Sequence, residues 1–367
     1  MGNRKPVLVD TSAGLKAAAA ALAGAERYYL DTEFERFKLC LVQVSRGEEA
    51  YLIDAVKLTA LEPLGEAIGR AGTEWVFCDG GQDAAWICEA ARIKERPRVF
   101  DVQVGWGLLG PEYPAGLAYL QYRILGVRSS KEHQAGDWLA RPLSEGQREY
   151  AAKDVEYLPP IREWISGKLA EKGRPDLIGE VSAETVFPPP PEPLSLDDFR
   201  NAWQLDAAGQ AALLFLIDWH NGLTPAEKKD TPAPRVFLAI ANLLPESGEE
   251  LGRVKGVWFE WARRHGDTFT GKLIRASSGA RGGGFKLLDP PPYDSFERIV
   301  AEGWIRKAAA EVSAEVGMAP ELAFPGRLLK AMAKAVLEKG RKEAAAEPLA
   351  GWREKFLRGP FLSKIAP

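Results

Sequence analysis

Tyr28-Tyr29-Leu30-Asp31-Thr32-Glu33-Phe34 sets two acids at the end of a short apolar, strand-like run. Side chains at i and i+2 leave the same face of a strand, so Asp31 and Glu33 point together. A second stretch, running from Arg148 through Tyr150 and Asp154 to Leu158, reads as helix and puts Tyr150 and Asp154 on one face at i, i+4. Between the two lies Gln82-Asp83. Acids that converge repel one another unless one is protonated or a cation neutralises them. An all-oxygen donor set suits a hard ion such as Mg²⁺ or Mn²⁺.

Outward from the first acids, the runs 28–34, 39–44 and 51–55 are separated by turn-like residues such as Ser45-Arg46-Gly47-Glu48, which predicts a strand meander. A helix over 61–71, a strand over 75–78, a helix over 82–91, a strand over 98–102 and helices over 104–109 and 115–125 follow. This order predicts an α/β or α+β domain whose sheet starts as a meander and then turns parallel. Asp31 or Glu33 then stands at the C-terminal end of a central strand, a usual place for a site. Read singly, each acid has a plainer explanation: a solvated strand edge for Asp31 and Glu33, a helix cap for Asp83, an amphipathic pair for Tyr150 and Asp154.

Pro188-Pro-Pro-Pro-Glu-Pro193 is a stiff spacer. Beyond it the pattern is helical, with apolar residues at helical spacing over 205–219 and 235–244 and a helix-turn-helix connection at 251–256. A Gly/Pro-rich loop, 277–292, precedes a last helical group, 296–365. Gly282-Gly283-Gly284 lacks the lysine and strand-to-helix setting of a phosphate loop and reads as a connector. The expected division is 1–187, a linker 188–200, a helical domain 201–276, a linker 277–295 and a second helical domain 296–367.

A chain of 367 residues exceeds what one core usually supports. Its 46% hydrophobic and 27% charged residues describe an ordinary soluble protein. The alanine-rich stretch 13–25 is interrupted by Gly14, Lys16 and Gly24, which argues against a membrane span, and neither a secretory signal nor a myristoylation site is visible. A cytoplasmic monomer is expected, with no membrane and no evident protein partner. Cys40, Cys78 and Cys88 form no CxxC pair and read as reduced core residues rather than zinc ligands. The net charge of −3 is uneven: residues 251–367 carry +8 and residues 1–250 carry −11. Such asymmetry fits a phosphate-binding part joined to a metal-binding part, and equally fits chance variation in solvated helix faces.

Asp31-Thr-Glu-Phe34, Gln82-Asp83, the segment 100–110 (Phe-Asp-Val-Gln-Val-Gly-Trp-Gly-Leu-Leu-Gly) and the segment 138–158 together resemble the ribonuclease D family of 3′–5′ exonucleases, which has four acidic metal ligands and a tyrosine. The resemblance covers about residues 25 to 165. A fainter one, to paired helicase-and-RNase-D C-terminal (HRDC) domains, rests on 212–219, 251–256 and Gly351-Trp352-Arg353. It implies a ribonuclease H-like exonuclease domain with a mixed sheet, followed by two all-α HRDC-like domains. Asp31, Glu33, Asp83 and Asp154 then become ligands of two divalent ions, Mg²⁺ or Mn²⁺, with Tyr150 the partner of the attacking water. Two ions about 4 Å apart activate a water and stabilise the leaving oxygen of a phosphodiester. A phenol with a reference pKa of about 10 orients that nucleophile rather than deprotonating it.

Thr32, Phe34, Gln43, Trp86, Lys131 and His133 are the candidate substrate-binding residues. Phe34 could stack on a terminal base or pack in the core. Gln43 and Trp86 are softer candidates, with core roles as their alternative. Lys131 and His133 lie in a loop near the substrate in the family, and His133 has no second histidine nearby with which to hold a metal. Three departures are visible: Cys78 stands where the family usually has histidine, the Asp79-Gly-Gly81 turn is small, and the segment between Glu33 and Leu39 is short. The implied activity is trimming of RNA with a free 3′ end to nucleoside 5′-monophosphates, tRNA precursors especially. The alternatives are DNA as substrate and an inert nucleic-acid-binding scaffold.

Overall fold

The computed structural model describes residues 5–35, 38–128, 136–189, 192–224, 227–228, 230–281, 285–290 and 295–365. Lys131 and His133 lie outside them. The chain forms two compact units, one of Met1–Pro189 with Phe296–Pro367 and one of Pro190–Ser295.

The first unit is built on a mixed six-stranded sheet in the order β1-β4-β3-β2-β5-β6. Its strands are β1 (Val7–Val9), β2 (Arg27–Glu35), β3 (Lys38–Ser45), β4 (Ala50–Asp54), β5 (Glu74–Phe77) and β6 (Arg98–Asp101). The meander β2-β3-β4 is antiparallel, while β5 and β6 join β2 in parallel and β1 joins β4 in parallel. The expected meander and parallel extension are both present. β1, three residues long, gave the sequence reading no period to detect.

Alternation along β2 decides which helices cover which face. Tyr28 and Leu30 point into one core with Val42, Ile53, Trp75 and Phe77, under α1 (Ser12–Leu22), α2 (Glu62–Ile68) and α3 (Gly81–Ala90). The interrupted alanine stretch is thus a core helix, capped by Thr11 accepting from the Gly14 N–H at 3.1 Å. Helix α2 stops at Ile68, short of the expected 71, because Gly69 ends it and Gly72 takes a left-handed φ of 81°.

Tyr29, Val76 and Phe100 point the other way, toward α4 (Val102–Gly107), α7 (Leu158–Glu171) and α8 (Leu177–Val186). α5 (Leu117–Leu120) runs into a π-helical turn, Gln121–Leu125, and α6 (Glu145–Glu156) precedes α7.

In the second unit, α9 (Ala207–Asn221), α10 (Phe237–Leu243), α11 (Gly248–Gly252) and α12 (Phe259–Arg281) enclose their own core of Leu213, Leu216, Phe237, Ile240, Leu251 and Phe269. A Cβ at Gly266 would lie 2.4 Å from the Gly248 Cα, so α11 and α12 cross only with glycine there.

Residues 296–365 form α13 (Phe296–Val316), α14 (Pro320–Ala323), α15 (Gly326–Lys339) and α16 (Trp352–Ile365). They do not close a core of their own. Ile305, Val312, Trp352, Leu357 and Phe361 belong to the cluster that holds Val104, Leu108, Leu169 and Val181. The Arg353 guanidinium donates to both Glu184 oxygens at 2.6 and 2.8 Å, the Trp352 indole N–H donates to Glu184 at 2.9 Å, and the Ala319 N–H donates to the Gly107 carbonyl at 2.7 Å. The Gly351-Trp-Arg353 segment noted in the sequence is the point at which the last helices lock onto α8.

Candidate active site

The site begins where β2 ends. Glu33 pairs with Leu41 and Phe34 with Leu39, so β3 carries one extra residue, Cys40, opposite this point. Such a bulge increases local twist and re-aims the neighbouring side chains. The Cys40 carbonyl is not left unpaired, since it accepts from the Ala55 N–H at 3.2 Å and from Arg141 at 3.0 Å.

Helix α6 packs over the β2-β3-β4 face with Ala151 and Val155 buried. Its start is fixed by a capping box: Ser144 accepts from the Gln147 N–H while the Gln147 side chain accepts from the Ser144 N–H. The loop before it is tied down by Arg141, which donates to both oxygens of buried Asp54 at 2.6 and 2.7 Å and to the Trp138 carbonyl at 2.8 Å. The Trp138 N–H in turn donates to Glu35 at the end of β2. Strand end and helix are thereby held in one frame.

Within that frame Asp31, Glu33 and Asp154 each bring an oxygen within 4.8 Å of the other two. Tyr150 lies one turn before Asp154 on the same helix face, with its phenol close to that carboxylate. Asp83 is not in this three-way group. It lies in the first turn of α3 rather than at its cap, which is Gly80, and its Oδ1 accepts from Thr32 Oγ1 at 2.5 Å. Thr32 therefore stands between the two arms of the site: its backbone separates Asp31 from Glu33, and its hydroxyl fixes Asp83.

The position of Asp83 depends on an acid that sequence reasoning passed over. Asp101, completely buried, accepts from the backbone N–H groups of Asp79, Gly80, Gln103 and Val104 at 3.2, 2.8, 2.9 and 3.3 Å, and its own N–H donates to Ser182 Oγ. It caps α4 and clamps the turn that launches α3. Asp79 in that turn has φ of 64°, and a Cβ on Gly80 would lie 2.2 Å from the Phe77 ring. The small turn is a packing requirement. Its signal in the sequence was the Phe100-Asp101 pair at a strand end, an N-cap residue just before a helix.

Among the described residues, the acids of the centre lack a counter-charge. Burial, then the nearby Asp83, Asp154 and Glu33, push the Asp31 carboxyl well above the usual carboxylate range. Burial and the Asp154 and Asp83 charges raise Glu33 to about 8. Burial raises Asp154 to about 7 despite the hydrogen bond from Tyr150, and Asp83 to about 6 despite that from Thr32. Burial and the same acids push the Tyr150 phenol up, so it stays protonated at neutral pH. Hard oxygen donors, close together and reluctant to ionise, fit a divalent cation. Among the described residues the three converging carboxylates are the one such group.

The remaining candidates separate by exposure. Phe34 is 41% exposed beside the acids and has a ring face to offer. Trp86 is half-buried against the α1–α3 core. Gln43 is fully buried and presents no surface to a nucleotide. It faces Asp31 across the β2–β3 ladder, and neither its Oε1 nor its Nε2 has a hydrogen-bond partner. Leaving such a group unpaired costs about 1–3 kcal/mol.

A family model described as a 3′–5′ exonuclease matches residues 6–170. Ribonuclease D of Acidiphilium cryptum is 32% identical over 272 residues, covering 69% of this chain and 67% of that protein. Ribonuclease D of Serratia proteamaculans is 27% identical over 375 residues, covering 96% of this chain and 97% of that one. Among solved structures, Escherichia coli RNase D, described as an exoribonuclease involved in structured RNA processing, superposes with a TM-score of 0.76 over 99% of this chain and 100% of its own, at 24% identity. That last likeness concerns the fold.

Proposed function

Since the chain belongs to the ribonuclease D family of 3′–5′ exonucleases, we propose that it is a metal-dependent exoribonuclease that shortens RNA from a free 3′ end, releasing nucleoside 5′-monophosphates. The observation that carries this reading is the convergence of Asp31, Glu33 and Asp154 under Tyr150. Two divalent ions, Mg²⁺ or Mn²⁺, would be held by those acids with Asp83. When bound they would lower the pKa of a water and offset the charge that develops on the phosphodiester.

The chain's own residues do the rest. Tyr150, a protonated donor, orients the attacking water, while the Trp138 ring, its centroid 6.2 Å from that of Tyr150, packs against it. Thr32 holds Asp83 on the α3 side of the site. Phe34 stacks against the terminal base, which any base allows because each has a π face. Structured RNA precursors with 3′ trailers, tRNA included, are the proposed substrates, with the basic helical segments binding backbone so that affinity falls with salt. Lys131 and His133 belong to this proposal as substrate contacts. The domain division set out above, a monomeric state and a cytoplasmic location complete it; among the described residues no helix is long and apolar enough to cross a membrane.

Labelled single-stranded RNA and a matched DNA oligomer, incubated with Mg²⁺ or a chelator, test the reading. The expected result is stepwise shortening of the RNA from its 3′ end, abolished by chelator and by Asp31→Asn. Undiminished shortening by Asp31→Asn would refute the site, and preference for the DNA would refute the substrate.

A further inference from the structure

Gln43 is the least explained buried group near the acidic centre. Its side chain is 0% exposed, and both ends of its amide lack a partner. Such groups are rare in folded proteins and call for a cause. Core packing does not supply one, because leucine or methionine would fill a similar volume without the cost of desolvating an amide; Leu52 across the ladder and Leu41 along the strand are apolar, and the hydroxyl of Ser45, the other neighbour along the strand, already accepts from the Gly47 N–H at 2.9 Å.

The register does supply one. Asp31 on β2 and Gln43 on β3 are direct cross-strand partners, and directly opposed residues of an antiparallel pair share a sheet face with Cβ atoms about 5 Å apart. Helix α6 covers that face, so no solvent-exposed alternative competes for the amide. Its Nε2 is a donor, and an ionised carboxylate only accepts.

We propose that Gln43 is a positioning residue for the metal centre: its carboxamide donates to the Asp31 carboxylate when the cation is bound, leaving the other Asp31 oxygen for the ion. Groups that hydrogen-bond a ligating carboxylate fix its orientation and raise metal affinity by about 10- to 100-fold. The site's acids come from a strand and two helices, and Asp31 has an oxygen within 4.8 Å of one from Glu33 and one from Asp154. Gln43 gives it a fixed partner on the strand side. This rests on the metal-dependent reading above.

Mn²⁺ binding to the chelator-stripped full chain, measured by calorimetry, tests the idea alongside thermal unfolding in chelator. Wild type, Asp31→Asn, Gln43→Met and Gln43→Leu are compared. Gln43→Met is expected to weaken Mn²⁺ binding at least tenfold and to lower kcat more than it changes KM for RNA, while its unfolding temperature in chelator is equal to or above that of wild type. A side chain that merely filled space would leave Mn²⁺ affinity and kcat alone in both variants. Wild-type Mn²⁺ affinity in Gln43→Met, or in Gln43→Leu should the first fail to fold, overturns the proposal. Failure of wild type itself to bind Mn²⁺ would instead overturn the metal-dependent reading.

Discussion

Carboxylates in two places, buried Asp54 on β4 and the half-buried Asp31, Glu33 and Asp154 of β2 and α6, are treated in opposite ways. Asp54, at the end of β4, is gripped by both arms of the Arg141 guanidinium and by the N–H groups of Val56 and Lys57. Although burial works against ionisation, Arg141 and those N–H groups hold its carboxyl below the usual range. A strand or two away, Asp31, Glu33 and Asp154 have no cationic side chain paired with them among the described residues, and their pKa values rise. The first group fastens the loop that leads into α6. The second is destabilising in the bare protein and becomes favourable only when something positive arrives. A site of this kind is recognised by what its neighbours decline to neutralise.

The sharpest way to break this contrast is to remove a charge from each group. Asp31→Asn is expected to reduce RNA hydrolysis by about 10³-fold or more, a loss of about 4 kcal/mol of transition-state stabilisation, yet to raise the unfolding temperature in chelator at pH 8. Arg141→Ala should do the reverse to stability, lowering it by about 3 kcal/mol, because it leaves Asp54 buried and uncompensated. Urea titration distinguishes the two. Equal destabilisation by both would end the comparison.

A pH series sharpens it further. The acids of the centre have raised folded-state pKa values, so between about pH 4 and pH 8 the folded chain keeps protons that the unfolded chain has released. Their contribution to stability is therefore greatest in acid and is lost as pH rises through 6, 7 and 8. Asp54, lowered, acts oppositely: its contribution is present above its ordinary value of 3.8 and is lost only as pH falls through its lowered one. Metal-free protein should be most stable near pH 5, and saturating Mn²⁺ should raise its unfolding temperature by several degrees at pH 8 and by little at pH 5.5. A shift independent of pH would show that the ion does not displace those protons.

The smallest expected effect is at the joint between the arms. Thr32→Val removes the hydroxyl that fixes Asp83 and should cost about 1 kcal/mol of stability with a roughly tenfold fall in kcat, whereas Thr32→Ser should restore most of both. Loss of stability without loss of rate would place Asp83 outside the reacting centre.

What could be read from the sequence follows from range. Asp31 with Glu33, and Tyr150 with Asp154, declare themselves through periods of two and four, and the meander through three runs with turns between them. The Thr32–Asp83, Asp101–Gly80 and Arg141–Asp54 bonds join residues 51, 21 and 87 apart, and no local pattern marks them. Asp83 shows the limit well. Its place at a helix start was legible, but its bond to Thr32 depends on how β2 and β5 pair. The last helices show another limit: amphipathic spacing reveals an apolar face without saying what covers it. For Ile305, Val312 and Phe361 the cover is α4, α7 and α8.

That shared core has a consequence for the order in which the protein comes into being. The apolar layer under α1, α2 and α3 is drawn from residues 9–99 together with Val186, so it is complete once the first half of the chain has been made. The layer on the opposite side draws on residues 29–181 and again on 305–365. During synthesis at about 5–20 residues per second, the sheet would wait on the ribosome with one side closed and the other open until residues 305–365 emerge. The three acids would meet on a half-finished scaffold, and residues 305–365, made later, would seal it.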